Sequence, residues 1–150
     1  MKMSHYSWIF LLFLASCMTN RNGSEEQLYE VADSFATNYF NLRYKNACNF
    51  CTGDTHQWLR FAASNVNQAD IDMLHKTDEP AHIEINEVNY TSDSTAVVNM
   101  TVSNFLKMDS IESCGHIVES ATFRLNAVID NNKWLIRMEA LPRSGRRNHD

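Results

Sequence analysis

The sequence predicts an α+β domain, with N-terminal helices packed on a curved four-stranded antiparallel sheet. Three observations predict it. Apolar residues recur at spacings of three and four from Leu28 to Leu42. After Pro80 the period drops to two. From there to Leu141, runs rich in β-branched residues are separated by short polar turns. The first spacing lays one apolar stripe along a helix, and the second lays apolar residues on one face of a strand. Helices followed by a run of strands pack together against one sheet face.

The elements follow in order. Ser24 can cap a helix, with Glu25 and Glu26 placed in its first turn where the helix dipole favours acids. Leu28, Val31, Ala32, Phe35, Tyr39 and Leu42 form its apolar face. YKNACNFCTG reads as a short helical turn ended by Gly53. Asp54 then caps THQWLRFAASN, with Trp58, Leu59, Phe61 and Ala62 as the apolar set. Residues 67–76 make a third helical piece around Ile71 and Leu74, stopped by Asp78-Glu79-Pro80. Four strands follow, over 82–90, 95–108, 116–129 and 133–141. Thr91–Ser94, DSIESCG and Asp130-Asn131-Asn132 connect them. Inward positions near the end of the sheet are Phe123, Leu125, Trp134, Ile136 and Met138. The two longest strands exceed the usual five or six residues, so the sheet is expected to bend around the first helix.

The N-terminus carries an address. Lys2 precedes an apolar run from Trp8 to Leu14, far short of the roughly 20 residues that span a bilayer. A charged start, a short apolar stretch and small residues behind it form a secretory signal peptide. Leu14-Ala15-Ser16-Cys17 resembles the bacterial lipobox. That resemblance implies cleavage after residue 16, with acyl chains on Cys17, and a location in the cell envelope, periplasmic or surface-exposed and most naturally on the outer membrane. Several chains anchor stably, because each buried methylene contributes about 0.8 kcal/mol. The chain then divides into signal peptide 1–16, polar tether 17–24, a single domain over 25–142 and a basic tail over 143–150.

Charge narrows the partners. The formal net charge is −5, and no stripe of Lys or Arg crosses the domain. An acidic chain of this kind is a poor nucleic-acid binder. Arg143, Arg146 and Arg147 are the one basic cluster. A solvated terminus explains it, and contact with anionic headgroups is the functional alternative.

A long first helix, shorter helices and a strand meander closing on Asn132-Lys133-Trp134-Leu135-Ile136 and Leu141-Pro142 resemble the nuclear transport factor 2-like, or cystatin-like cone, superfamily. The resemblance covers residues 25–142. It implies a pocket between the helices and the concave sheet face. Members of that superfamily include ketosteroid isomerase and scytalone dehydratase, as well as small bacterial lipoproteins of unknown function. No stretch here matches an enzyme motif of the superfamily, so the resemblance transfers no catalytic residue. The expectation is a non-enzymatic domain that binds a small ligand or a protein, needs no cofactor, and can pair as a homodimer through its sheet. The alternative is a pocket isomerase, dehydratase or cyclase.

The remaining constellations are sparse. His82 and Glu84 share a strand face without a third metal ligand. Asp70 and Asp72 diverge around a helix. Asp109 and Glu112 supply two oxygens, against the six to eight that calcium takes. Arg124 can pair across the last hairpin with Glu139. Of the four cysteines, lipidation takes Cys17. Cys48, Cys51 and Cys114 remain as buried thiols or one disulfide, a bond allowed outside the cytoplasm. With His116 the three form a weaker candidate zinc set. A thioredoxin-type reading of Cys48-Asn49-Phe50-Cys51 needs a preceding strand, which the pattern does not supply.

Overall fold

A computed structural model of the chain describes residues 23–108 and 115–145. Cys17, Arg146, Arg147, Asp109, Glu112 and Cys114 lie outside the described residues, as does the stretch expected to be a signal peptide. Helix α1 (Glu25–Phe40) leads into a short α2 (Tyr44–Ala47), then α3 (His56–Ser64) and α4 (Gln68–Lys76). Strands β1 (His82–Ser92), β2 (Thr95–Lys107), β3 (His116–Asp130) and β4 (Lys133–Arg137) form one antiparallel meander in the order β1-β2-β3-β4. Helix α1 lies across the inner face and touches all four strands. None of the described helices is long and apolar enough to cross a membrane.

The helix caps follow from side-chain chemistry. Ser24 Oγ accepts a hydrogen bond from Gln27 N at 3.2 Å, which satisfies one of the free donors at the start of α1. Asn67 and Asp70 exchange reciprocal bonds of 3.0 Å as a capping box on α4. Asp54 does not cap α3. A 3₁₀ turn over Gly53–Thr55 comes first, and Thr55 sits at the cap position without a side-chain bond to the helix it precedes. Leu59 and Ala62 are the buried face of α3, while Phe61 is 50% exposed.

The sheet alternates as period two requires. Ala96, Val98, Met100 and Val102 are buried on β2, and Phe123, Leu125 and Ala127 on β3. The opposite face of β2 carries Val97, Asn99, Thr101 and Ser103, largely polar. One-residue slips in the β1–β2 register, at Ile85/Glu87 and Tyr90/Ser92, add the local twist that curves the sheet. Asn131 and Asn132 have φ of +48° and +62° in the β3–β4 turn. Positive φ at both positions is the type I′ geometry that suits a tight hairpin, and asparagine tolerates it.

Two departures from regularity shape the rest of the molecule. On β2 the alternation breaks at Asn104, with φ +55°, and Phe105 and Leu106 are then both buried. On β4 the strand stops at Arg137, four residues short of the predicted Leu141. Its next amide, Met138 N, donates to Thr55 Oγ1 at 2.9 Å and not to the sheet. The chain returns only at Gly145, whose N–H donates to Thr122 O at 2.9 Å. Continued pairing from Asn126–Arg137 would have placed residue 141 there, so Met138–Ser144 is an excursion from the edge of β3.

Candidate functional site

The C-terminal end of α1 begins the site. After Asn41 the chain reverses through Leu42, whose φ is +58°. Leu42 N donates to Tyr39 O at 3.1 Å, and Arg43 N to Asn38 O at 2.8 Å. This is a left-handed helix stop of the kind glycine usually supplies. A leucine in that conformation carries backbone strain, a feature that clusters at functional sites. The reversal sets Tyr44 edge-on to Tyr39, with ring centroids 5.4 Å apart. Asn41 fixes the corner against β1, bonding both the N–H and the carbonyl of Ala81.

Below this corner lies a cavity of about 410 Å³. Its apolar wall is Phe40, Phe105 and Phe123, mutually packed with centroids 4.6 to 5.6 Å apart, together with Leu42 and Ala62. The break at Asn104 is what turns Phe105 into this wall. The far side is the excursion after β4, namely Leu141, Pro142, Arg143 and Ser144. Lys107 and Met108, at the end of β2, complete the rim.

Its polar lining is Tyr39, Tyr44, Asn65, Lys107, Arg143 and Ser144, with no acid among the described residues. Neither the Tyr39 nor the Tyr44 hydroxyl has a hydrogen-bond partner among the described residues, although every sealed side-chain polar atom described does have one. Burial raises both phenol pKa values well above the ordinary range. A neighbouring group adds to each shift: Tyr44 acts on Tyr39, and the Asp70 carboxylate acts on Tyr44. Both tyrosines are therefore neutral donors at physiological pH. Asp70 is 1% exposed, and both its oxygens are taken, one by Asn67 N and the other by Gly115 N at 2.8 Å. It ties α4 to the start of β3.

No protein-family model matches the sequence, and no curated protein matches it. Solved structures do. The chain resembles the crystal structure of a nuclear transport factor 2-like protein of unknown function from Shewanella oneidensis MR-1, at 11% identity and TM-score 0.52. The match covers 79% of this chain and 96% of that one. The chain has the nuclear transport factor 2-like fold. A weaker match, to an Ntf2-like protein involved in plasmid conjugation, has 12% identity and TM-score 0.38 and covers 84% of this chain and 50% of that one.

The sequence-predicted residues fall in different parts of this nuclear transport factor 2-like domain. Phe123 lines the cavity, while Leu125, Trp134, Ile136 and Met138 are buried in the core and do not line it. Cys48 and Cys51 lie away from the cavity, with free thiols. Cys51 opens a short parallel bridge to Ile136, closed by Thr52 N to Ile136 O at 2.9 Å. Its thiol contacts Cys48 O at 3.7 Å, and burial, with Cys48 and Asp54 nearby, pushes it up to about 12. A thiol that stays protonated is a weak nucleophile and a weak metal ligand. His116 is exposed at the start of β3. Among the described residues no group of three or more His, Cys, Asp or Glu is placed to hold a metal. His82 and Glu84 are exposed, and Arg137 pairs with Asp54 at 3.7 Å across the surface.

Sequence reasoning missed Tyr44 and Arg143 as lining residues. Tyr39 had been placed only on the helix's apolar stripe. The available signal was the two tyrosines five apart across the end of a helix, but nothing local announces that Leu42 reverses the chain.

Proposed function

We propose that this chain is a lipid-anchored cell-envelope protein whose domain binds a small, largely apolar ligand without transforming it. The observation that carries the binding reading is the cavity. Its volume lies within the range of about 300–1,000 Å³ typical of ligand sites, and its aromatic wall with a few polar groups has their usual makeup. Leu14-Ala15-Ser16-Cys17 supports the anchor.

Binding is favoured over catalysis by the chemistry of the lining. An isomerase or dehydratase needs a base within hydrogen-bond reach of the proton it removes. The described lining offers phenols, a lysine and an arginine, but no carboxylate or imidazole. Asp70, whose charge acts on Tyr44, already has both oxygens occupied by backbone donors.

The anchor and the cavity belong to opposite ends of α1. The tether enters at Gly23, beside Trp134 and Ile129, whereas the cavity starts at Tyr39. Sixteen helical residues separate the ends by about 24 Å. On this reading the mouth faces away from the bilayer and the ligand arrives from the aqueous side.

Binding of the neutral fluorophore N-phenyl-1-naphthylamine tests the cavity. Saturable binding to the wild type is expected, and Ala62→Leu, which adds bulk at the wall, weakens it at least about tenfold while circular dichroism stays native. No saturable binding to the wild type would sink the reading. Metabolic labelling with an alkynyl fatty acid tests the anchor: Cys17→Ala is expected to abolish both labelling and processing.

A further inference from the structure

We infer that the ligand is an amphipathic anion, an apolar body carrying one carboxylate or phosphate-type head, whose head is taken by Arg143. This rests on the binding reading above and names its ligand class. The ionisable residues of the described lining are Tyr39, Tyr44, Lys107 and Arg143, and every one of them is a hydrogen-bond donor. Among its described residues the lining holds the positive charge of Arg143 and no acid, which favours a ligand that brings negative charge. That local balance runs against the chain as a whole, whose net charge is −5.

Arg143 is held in place by more than its position in sequence. The segment that bears it is fixed at one end by Met138 N on Thr55 Oγ1 and at the other by Gly145 N on Thr122 O, each 2.9 Å. Pro142 restricts the backbone immediately before it. Gly145 suits the second anchor: a Cβ there would lie 2.9 Å from Thr122 Oγ1. Arg143 itself is exposed and makes no ion pair among the described residues, so its guanidinium is free to take a head group. A planar fork of donors matches both carboxylate and phosphate oxygens. The aromatic wall then takes the apolar body, and the two neutral phenols supply further donors within the cavity.

The test is displacement of N-phenyl-1-naphthylamine from the full domain by decanoate, decyl phosphate, decanol and decylamine, each below its micellar concentration. Decanoate or decyl phosphate is expected to displace the probe at concentrations about tenfold lower than decylamine, with decanol between them. The stronger of the two anions identifies the head chemistry, a free carboxylate or a lipid-type phosphate. Arg143→Ala, an exposed site, is expected to weaken the preferred anion about five- to tenfold and leave decanol unchanged. Equal displacement by decanol and both anions, or an Arg143→Ala loss shared by decanol, would overturn the inference while leaving the binding cavity standing. Failure of the probe and all four compounds to bind would remove the binding reading itself, and this inference with it.

Discussion

The two ends of helix α1 rest on one sheet and are built in opposite ways. At the N-terminal end, Gln27 Oε1 accepts from Gly23 N at 2.8 Å and from Trp134 N at 3.3 Å, while Trp134 Nε1 donates to Gly23 O at 2.9 Å. Gly23 has φ +86° and lies so close to Ile129 that a Cβ would come within 3.1 Å of its Cδ1. Trp134 is 2% exposed, and its indole N–H and backbone N–H are both used. At the C-terminal end two phenols have no hydrogen-bond partner among the described residues, Leu42 is left-handed and the edge strand abandons its ladder. One end spends its sequence on closure. The other leaves polar groups open toward a space, which costs stability unless something fills it.

Removing the indole gives the largest expected effect. Trp134→Ala takes away a buried aromatic and the indole hydrogen bond to Gly23 O at the closed end, and should destabilise the domain by about 3–5 kcal/mol in urea unfolding. Probe binding by the folded fraction should keep its wild-type affinity, because the cavity lies at the other end of α1. A parallel loss of affinity would mean that the two ends are not independent.

Thr55→Val comes next, and acts at the junction of the two regions. The Thr55 hydroxyl accepts from Met138 N, pairs with Thr52 Oγ1 at 2.9 Å and reaches Ile136 O at 3.4 Å. Valine preserves the shape and strands the buried Met138 N–H, a loss of about 1–3 kcal/mol. Here ligand affinity should fall as well, since the excursion that carries Arg143 loses one of its two anchors. An unchanged affinity would show that Gly145 alone positions the segment.

The comparison also explains what the sequence made legible. The closed region obeys local rules: a serine cap, a 3.6-residue stripe, strict alternation and an Asp-Asn-Asn turn, each readable from neighbours in the chain. The open region depends on contacts between distant positions. The strand pattern of KWLIRMEAL is intact, yet a hydroxyl 83 residues away in sequence captures the Met138 amide and ends the strand at Arg137. Asp70 looked like half of a diverging surface pair, but it is a buried tie to Gly115, 45 residues on. Cys48 and Cys51 read as buried thiols or one end of a disulfide. Nothing local announces that their backbone leads into the bridge on β4, and burial keeps the Cys51 thiol protonated.

The smallest expected effect separates the two regions by pH. Burial raises the Tyr44 pKa, and the Asp70 charge adds to the rise. A group whose folded pKa lies above its unfolded value near 10 favours folding fully below pH 10, and that contribution is lost as pH climbs toward the folded value. Unfolded chains ionise the phenol first, so alkali pulls the wild type toward unfolding. Tyr44→Phe cannot respond in this way. Its hydroxyl has no partner to lose among the described residues, so at pH 8 the variant should match the wild type to within about 0.5 kcal/mol. Between pH 9.5 and 11 the variant should become the more stable of the two, read as a growing gap in urea midpoints. The same substitution should remove one of the two late-rising contributions to the phenolate absorbance in an alkaline titration, leaving that of Tyr39. A gap that stays constant with pH would show that Tyr44 is solvated like a surface phenol. The open end of the domain would then be a shallow surface and not the cavity on which ligand binding depends.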